Sequence, residues 1–166
     1  MQTICRKRNC MKPDCQLLME QARALIEDVP FLITNLANIS ALVYESFPDI
    51  NWAGFYIMKN DQLILGPFQG KPACVRIPLG KGVCGTAALE DKTLVVPDVH
   101  QFAGHIACDS ASESEIVIPI HHGGKVWGVM DIDSPVKDRF SQDDTYALEK
   151  LAEVLEDQLF PYEPGI

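Results

Sequence analysis

Apolar and polar positions along the chain predict two helices first. Leu17, Leu18, Ala22, Leu25 and Ile26 recur at helical spacing within residues 15–28, and Asp14 stands where a capping side chain belongs. Val29-Pro30 ends that helix, since proline cannot continue the hydrogen-bond ladder and restricts the residue before it. A second helix is expected over 31–46, with Ile33, Leu36, Ala37, Ser40 and Val43 on one face and Phe47-Pro48 as its stop. From Asn51 the pattern turns to strands. NWAGFYIM (51–58) is apolar on both faces, as a central strand requires. Lys59-Asn60-Asp61 turns it into QLILGPF (62–68), and ACVRIPL (73–79) follows as a third strand.

Gly80-Lys81-Gly82 opens a helix of small residues, VCGTAALE (83–90), and TLVVP (93–97) is a short strand. EIVIPIH (115–121) and KVWGVMDID (125–133) flank His122-Gly123-Gly124, where glycine supplies unusual backbone angles for a hairpin. A last helix, TYALEKLAEVLEDQLF, has Ser141 as its expected cap and Tyr146, Leu148, Leu151, Val154 and Leu155 as its apolar stripe. Helices, then an antiparallel sheet with an embedded helix, then a terminal helix, give an α+β fold with helices segregated to one side. The expected division is a tail over 1–15, one domain over 16–160 and a short tail over 161–166.

Composition narrows the function classes. Charged residues make up 22% and apolar ones 47% of 166 residues, the balance of one globular domain. No apolar run approaches the roughly 18 residues of a spanning helix, and residues 1–15 lack the apolar centre of a signal peptide. The expectation is a cytoplasmic protein without a membrane partner. A net charge of −9, from 23 acidic and 14 basic residues, makes nucleic acid a poor partner. Six cysteines then stand out. Without an export signal they read as redox groups, metal ligands or core residues, not permanent disulfides. Cys5, Cys10 and Cys15 recur at intervals of five, which does not match zinc-module spacing.

Candidate chemistry collects in the stretch from Asp98 to Pro119, whose first two thirds show no helical or strand periodicity and whose ends are held by strands. It carries Cys108, His100 and His105, with Asp98, Asp109 and Glu113. A thiol beside carboxylates and imidazoles on an anchored loop is either reactive or buried and inert. Cys74 stands at a loop-to-strand junction, and Cys84 at a helix N-terminus, where the dipole favours a thiolate or the residue simply packs between glycines. Glu115 begins one hairpin strand, and Asp131 and Asp133 end the other. With an odd loop of 122–124, Glu115 falls opposite Asp131 and Asp133 shares their face; an even loop loses that face. Carboxylates so close need a shared proton or a cation such as a ligand ammonium. Trp52 and Tyr56 share one strand face and either wall a pocket or fill the core.

At these residues the chain closely resembles the free methionine-R-sulfoxide reductases, stand-alone GAF-domain enzymes. The matching stretches are NWAGFYI (51–57), LGPFQGKPACVRIPLGKGVCGTA (65–87), VPDVHQFAGHIACDSASESEIVIPI (96–120) and GVMDIDSP (128–135). The resemblance implies a single GAF domain, a central antiparallel sheet with N- and C-terminal helices packed on one side. It implies that Cys108 attacks, that Cys74 resolves, and that Cys84 is the third family cysteine. Glu115, Asp131 and Asp133 match acids that hold the substrate amine and assist the chemistry, and Trp52 and Tyr56 match the wall around the substrate methyl group. Ala103 stands where the family pattern leads one to expect proline. The implied reaction converts free methionine-R-sulfoxide to methionine through a sulfenic acid and an intramolecular disulfide, recycled by thioredoxin, with no metal or organic cofactor. A homodimer built from residues 14–47 and the last helix is also implied. The rival readings are a non-catalytic GAF sensor of a small ligand, a zinc-binding regulator and a thiol peroxidase.

Overall fold

Asp14 accepts hydrogen bonds from the amides of Gln16 and Leu17 and so starts α1 (Cys15–Ile26). The computed structural model describes residues 14–104 and 110–159. Cys5, Cys10, His105, Cys108, Asp109 and Phe160 therefore lie outside the described residues. After α1 come α2 (Leu32–Ser46), β1 (Trp52–Lys59), β2 (Gln62–Gly70), β3 (Arg76–Pro78), α3 (Gly82–Glu90) and β4 (Leu94–Val96). The chain closes with β5 (Ser114–His122), β6 (Lys125–Ser134) and α4 (Gln142–Leu159). Ser141 caps α4: its hydroxyl accepts from the Asp144 amide at 3.2 Å while Asp144 Oδ2 accepts from the Ser141 amide at 2.8 Å.

The six strands form one antiparallel sheet in the order β3-β2-β1-β6-β5-β4. Strand alternation divides the core in two. Ala53, Phe55, Ile116, Ile118, Ile120, Met130 and Ile132 face α1, α2 and α4. Trp52, Tyr56, Val117 and Val129 face the other way, against Val83, Cys84, Ala87 and Ala88 of α3. The terminal helices thus share one side as expected, while the embedded helix covers the opposite face. Among the described residues, no helix is long and apolar enough to cross a membrane.

Four positions on the expected apolar stripes fall outside the core, among them Leu25 of α1 at 37% exposed. Ile33 is 52% exposed because the buried stripe of α2 runs through Asn35, Leu36, Ile39, Ser40 and Val43. Buried Asn35 joins it by donating to the carbonyl of Val29. Leu17 of α1 is 51% and Tyr146 of α4 57% exposed. Helical spacing marks such residues as near the stripe without saying which side of it meets the sheet.

The β5–β6 hairpin has a two-residue turn, not the three-residue loop expected. His122 is opposite Lys125, and Gly123 and Gly124 take φ of 59° and 72°. Alone, that turn would put Glu115 and the two aspartates on opposite faces. A bulge restores them: His121 is opposite Val126, but Ile120 is opposite Gly128, so Trp127 is an extra residue in β6. Beyond it Glu115 faces Asp133 and Val117 faces Asp131, a two-residue difference from the expected pairing.

The segment between β4 and β5 is tied at its base. Val99 N–H donates to the carbonyl of Glu113 at 2.9 Å, and Glu113 N–H to that of Ser134 at 2.8 Å. Further along, the Gly104 carbonyl accepts from Gly82 N–H at 3.2 Å, which brings the segment to the start of α3.

Candidate active site

Register fixes which side chains meet. In β1 and β6, Trp52 is opposite Asp133 and Gly54 opposite Asp131, so these residues share a face with Tyr56 and Glu115. Glu115 and Asp131 are each only 6% exposed, and Asp133 is half-buried. The Cys84 thiol, supplied by the first turn of α3, reaches Glu115 Oε1 at 3.7 Å. One ligating atom from each of Cys84, Glu115 and Asp131 lies within 4.8 Å of the others. Asp131 Oδ1 is buried and accepts no hydrogen bond from the described residues.

Such a cluster is electrostatically uncomfortable. Burial, then the charges of Asp131 and Asp133, push the Glu115 carboxyl well above the usual carboxylate range. Burial also lifts Asp131, to about 6, although hydrogen bonds from Cys84 and Glu115 pull it back. Glu115 is therefore the more basic member of the pair. Cys84 does not become the thiolate its helix position suggests. Burial first, and then the two acids, hold its thiol well above the ordinary value. The helix dipole loses to desolvation and like charge.

Beside the acids lies an aromatic stack. Trp52 lies over Phe68 with ring centroids 5.2 Å apart and planes at 15°, and near Tyr56 at 6.0 Å and 25°. Gly54 makes this possible, since a Cβ there would sit 2.3 Å from Phe68 Cβ. Phe68 is the site residue that sequence reasoning missed; its signal was its place opposite Gly54 once the β1–β2 bulge is counted. Both polar ends of the stack hold the segment that carries Cys74. Trp52 Nε1 donates to the Lys71 carbonyl at 3.1 Å, and the Tyr56 hydroxyl to the Cys74 carbonyl at 2.9 Å. Burial, then Asp131, keeps that phenol strongly protonated.

Cys74 precedes β3 instead of lying inside a longer strand, is half-buried and is disulfide-bonded. Neither other described cysteine is its partner, because Cys15 and Cys84 are free thiols. Among the described residues, two places bring ligating atoms together. Cys84, Glu115 and Asp131 could accept a cation of either kind, a metal ion or an ammonium. Asp98, His100 and Glu113 also converge at the base of the 98–113 segment. There Lys137 already supplies positive charge, 2.8 Å from Asp98 and 3.8 Å from Glu113.

The GAF domain family model matches residues 15–159. The free methionine-R-sulfoxide reductase of Escherichia coli is 53% identical over 133 residues, covering 80% of this chain and 81% of that protein. The chain belongs to the free methionine-R-sulfoxide reductase family of GAF-domain proteins. Two solved members of this family superpose closely. The Staphylococcus aureus fRMsr in complex with substrate has a TM-score of 0.84 at 54% identity, covering 89% of this chain and 96% of that one. The Neisseria meningitidis enzyme in complex with its substrate has a TM-score of 0.84 at 41% identity, covering 87% of each chain. The departure from the family pattern at Ala103 falls on an exposed turn, just before Gly104 with φ of 78°.

Proposed function

We propose that the chain reduces free methionine-R-sulfoxide to methionine with Cys108 as nucleophile. The observation that carries this reading is the buried pair Glu115 and Asp131 beside the Trp52–Phe68–Tyr56 stack, under the segment bearing Cys74. A free amino acid brings an α-ammonium, which a residue inside a polypeptide lacks. Set about 4 Å from a carboxylate at an effective dielectric near 20, it gains about 4 kcal/mol. Asp131 Oδ1, which accepts no hydrogen bond from the described residues, and the half-buried Asp133 are its partners. The aromatic stack takes the apolar end of the substrate.

The Cys108 thiolate attacks the sulfoxide sulfur while Glu115, protonated by virtue of its burial, gives its proton to the departing oxygen. The sulfur of the substrate gains two electrons and leaves as methionine, and Cys108 becomes a sulfenic acid. Cys74 condenses with it, releasing water and leaving a disulfide, which a thioredoxin-type dithiol reduces. Cys84 suits a different part. Buried, protonated and against Glu115, it orients that acid and is a poor resolving thiol. The exposed apolar residues Leu17, Leu25, Phe31 and Ile33 support a homodimer through α1 and α2, which sedimentation would test.

Thioredoxin-coupled NADPH consumption tests the reaction. Turnover is expected on free R-methionine sulfoxide, not on the S-epimer or a sulfoxide-containing peptide, and Cys108→Ser should abolish it. Glu115→Gln should lower kcat/KM by about 10²- to 10⁴-fold, the range of a lost general acid. Unchanged kinetics in that variant would remove Glu115 from the chemistry.

A further inference from the structure

The chain around Cys74 is basic within an acidic molecule. Between Gln62 and Leu89 there is no acidic residue, whereas Lys71, Arg76 and Lys81 are basic, within a chain of net charge −9. All three basic side chains are exposed, and Val75 beside Cys74 is 64% exposed. The inner side of this segment is fixed, because its Lys71 and Cys74 carbonyls accept from Trp52 and Tyr56. Its outer side leads into β3, an edge strand that pairs with β2 alone. At the next turn Leu89, 60% exposed, lies against Gly80. A half-buried disulfide sulfur thus sits within a basic surface carrying two exposed aliphatic side chains.

We infer that this surface docks a small acidic dithiol protein, and that its thiolate attacks Cys74 and not the other sulfur of the disulfide. This rests on the reading that a Cys74–Cys108 disulfide closes each catalytic cycle. Attack forms an intermolecular disulfide at Cys74 and expels Cys108 as the thiolate needed for the next turnover. The second thiol of the reductant then displaces Cys74, takes up the intermolecular bond as its own disulfide and leaves two reduced cysteines behind. Two features favour this direction. Cys84 is 4% exposed, so no protein thiol reaches it. An approaching thiolate meets the positive field of Arg76 and Lys81 on this side, and the negative field of Asp131 and Asp133 inside the site. Such rim charges act on association and fade with salt.

Two measurements on the full-length protein test the inference. Arg76→Glu with Lys81→Glu should lower kcat/KM for thioredoxin at least tenfold at low ionic strength, with a smaller loss at high salt. The KM for the sulfoxide and turnover supported by dithiothreitol should not change, which also shows that the variant folds. Separately, thioredoxin whose second cysteine is serine should stall on the oxidised wild-type chain. After tryptic digestion its cross-link should map to the peptide ending at Arg76. A cross-link on the peptide holding Cys108, or unaltered thioredoxin kinetics in the double variant, overturns the inference while dithiothreitol-driven turnover persists. Loss of sulfoxide reduction with both reductants in the wild type instead withdraws the catalytic reading, and this inference with it.

Discussion

Replacing Asp131 by asparagine should make the substrate-free protein more stable and nearly inactive. Asp131 is buried, its Oδ1 accepts no hydrogen bond from the described residues, and it shares its surroundings with Glu115 and the Cys84 thiol. Its carboxyl is raised from 3.8 to about 6. That is about two pH units at about 1.4 kcal/mol each, so ionising this residue in the folded state costs about 3 kcal/mol. The sign follows from proton affinity: the folded chain binds this proton more tightly than the unfolded one. Stability is therefore lowered above pH about 6 and recovered as pH falls toward 4. Asparagine keeps the shape without the charge. In urea unfolding at pH 8, Asp131→Asn should exceed the reduced wild type by about 3 kcal/mol, or about 6–12 °C in Tm for a chain of this size. At pH 4 the difference should vanish. kcat/KM for the sulfoxide should fall at least a hundredfold in the same variant, because the ammonium loses its partner. Equal stability of the two proteins at pH 8, or a difference that does not change with pH, would refute the electrostatic account.

Gly54→Ala should destabilise the fold by about 3 kcal/mol and raise KM, since the new Cβ meets Phe68 Cβ at 2.3 Å and the Trp52 ring at 2.8 Å; chemical unfolding and substrate kinetics check it. Deleting Trp127 removes the bulge and should prevent soluble folding or abolish activity, whereas Trp127→Phe should keep both. His121 donates to Glu156 at 2.7 Å and to Asp91 at 2.6 Å. Burial alone would lower its pKa, but these two carboxylates hold it above 6.5. The contact thus contributes fully below pH 6.5 and is lost as pH rises through the folded value. With the ring 38% exposed, Glu156→Gln should cost under about 1 kcal/mol at pH 6 and nothing at alkaline pH in the same unfolding assay.

Most of the scaffold was legible because its signals are local. Asp14 and Ser141 cap as read, Pro30 and Pro48 follow the helices they stop, and each strand lies within a few residues of its expected place. The shared face of Glu115, Asp131 and Asp133 was also legible, but for the wrong reason. A three-residue loop was expected to align them, and a two-residue turn with a bulge does so instead. Nothing local distinguishes Trp127 as an inserted residue, because its partners lie on another strand. Phe68 was missed for the same kind of reason: its role depends on the gap left by Gly54 across the sheet. Of the two readings left open at Cys84, burial favours the packed thiol over the thiolate, because a helix dipole acts within one turn whereas desolvation depends on everything packed around it.

The β5–β6 hairpin also limits how the catalytic region can change length. Its glycine tip is exposed and a Cβ at either Gly123 or Gly124 would meet nothing, so insertions there meet no steric objection. A residue added there lengthens the turn and leaves the pairing below it alone. A single residue added between the Trp127 bulge and Asp131 would instead turn the acids over, offering Ile132 to the substrate and pressing Asp131 and Asp133 into oil. Loop libraries grafted on the tip can therefore vary freely in length, whereas the stretch from Gly128 to Asp133 cannot gain or lose a single residue.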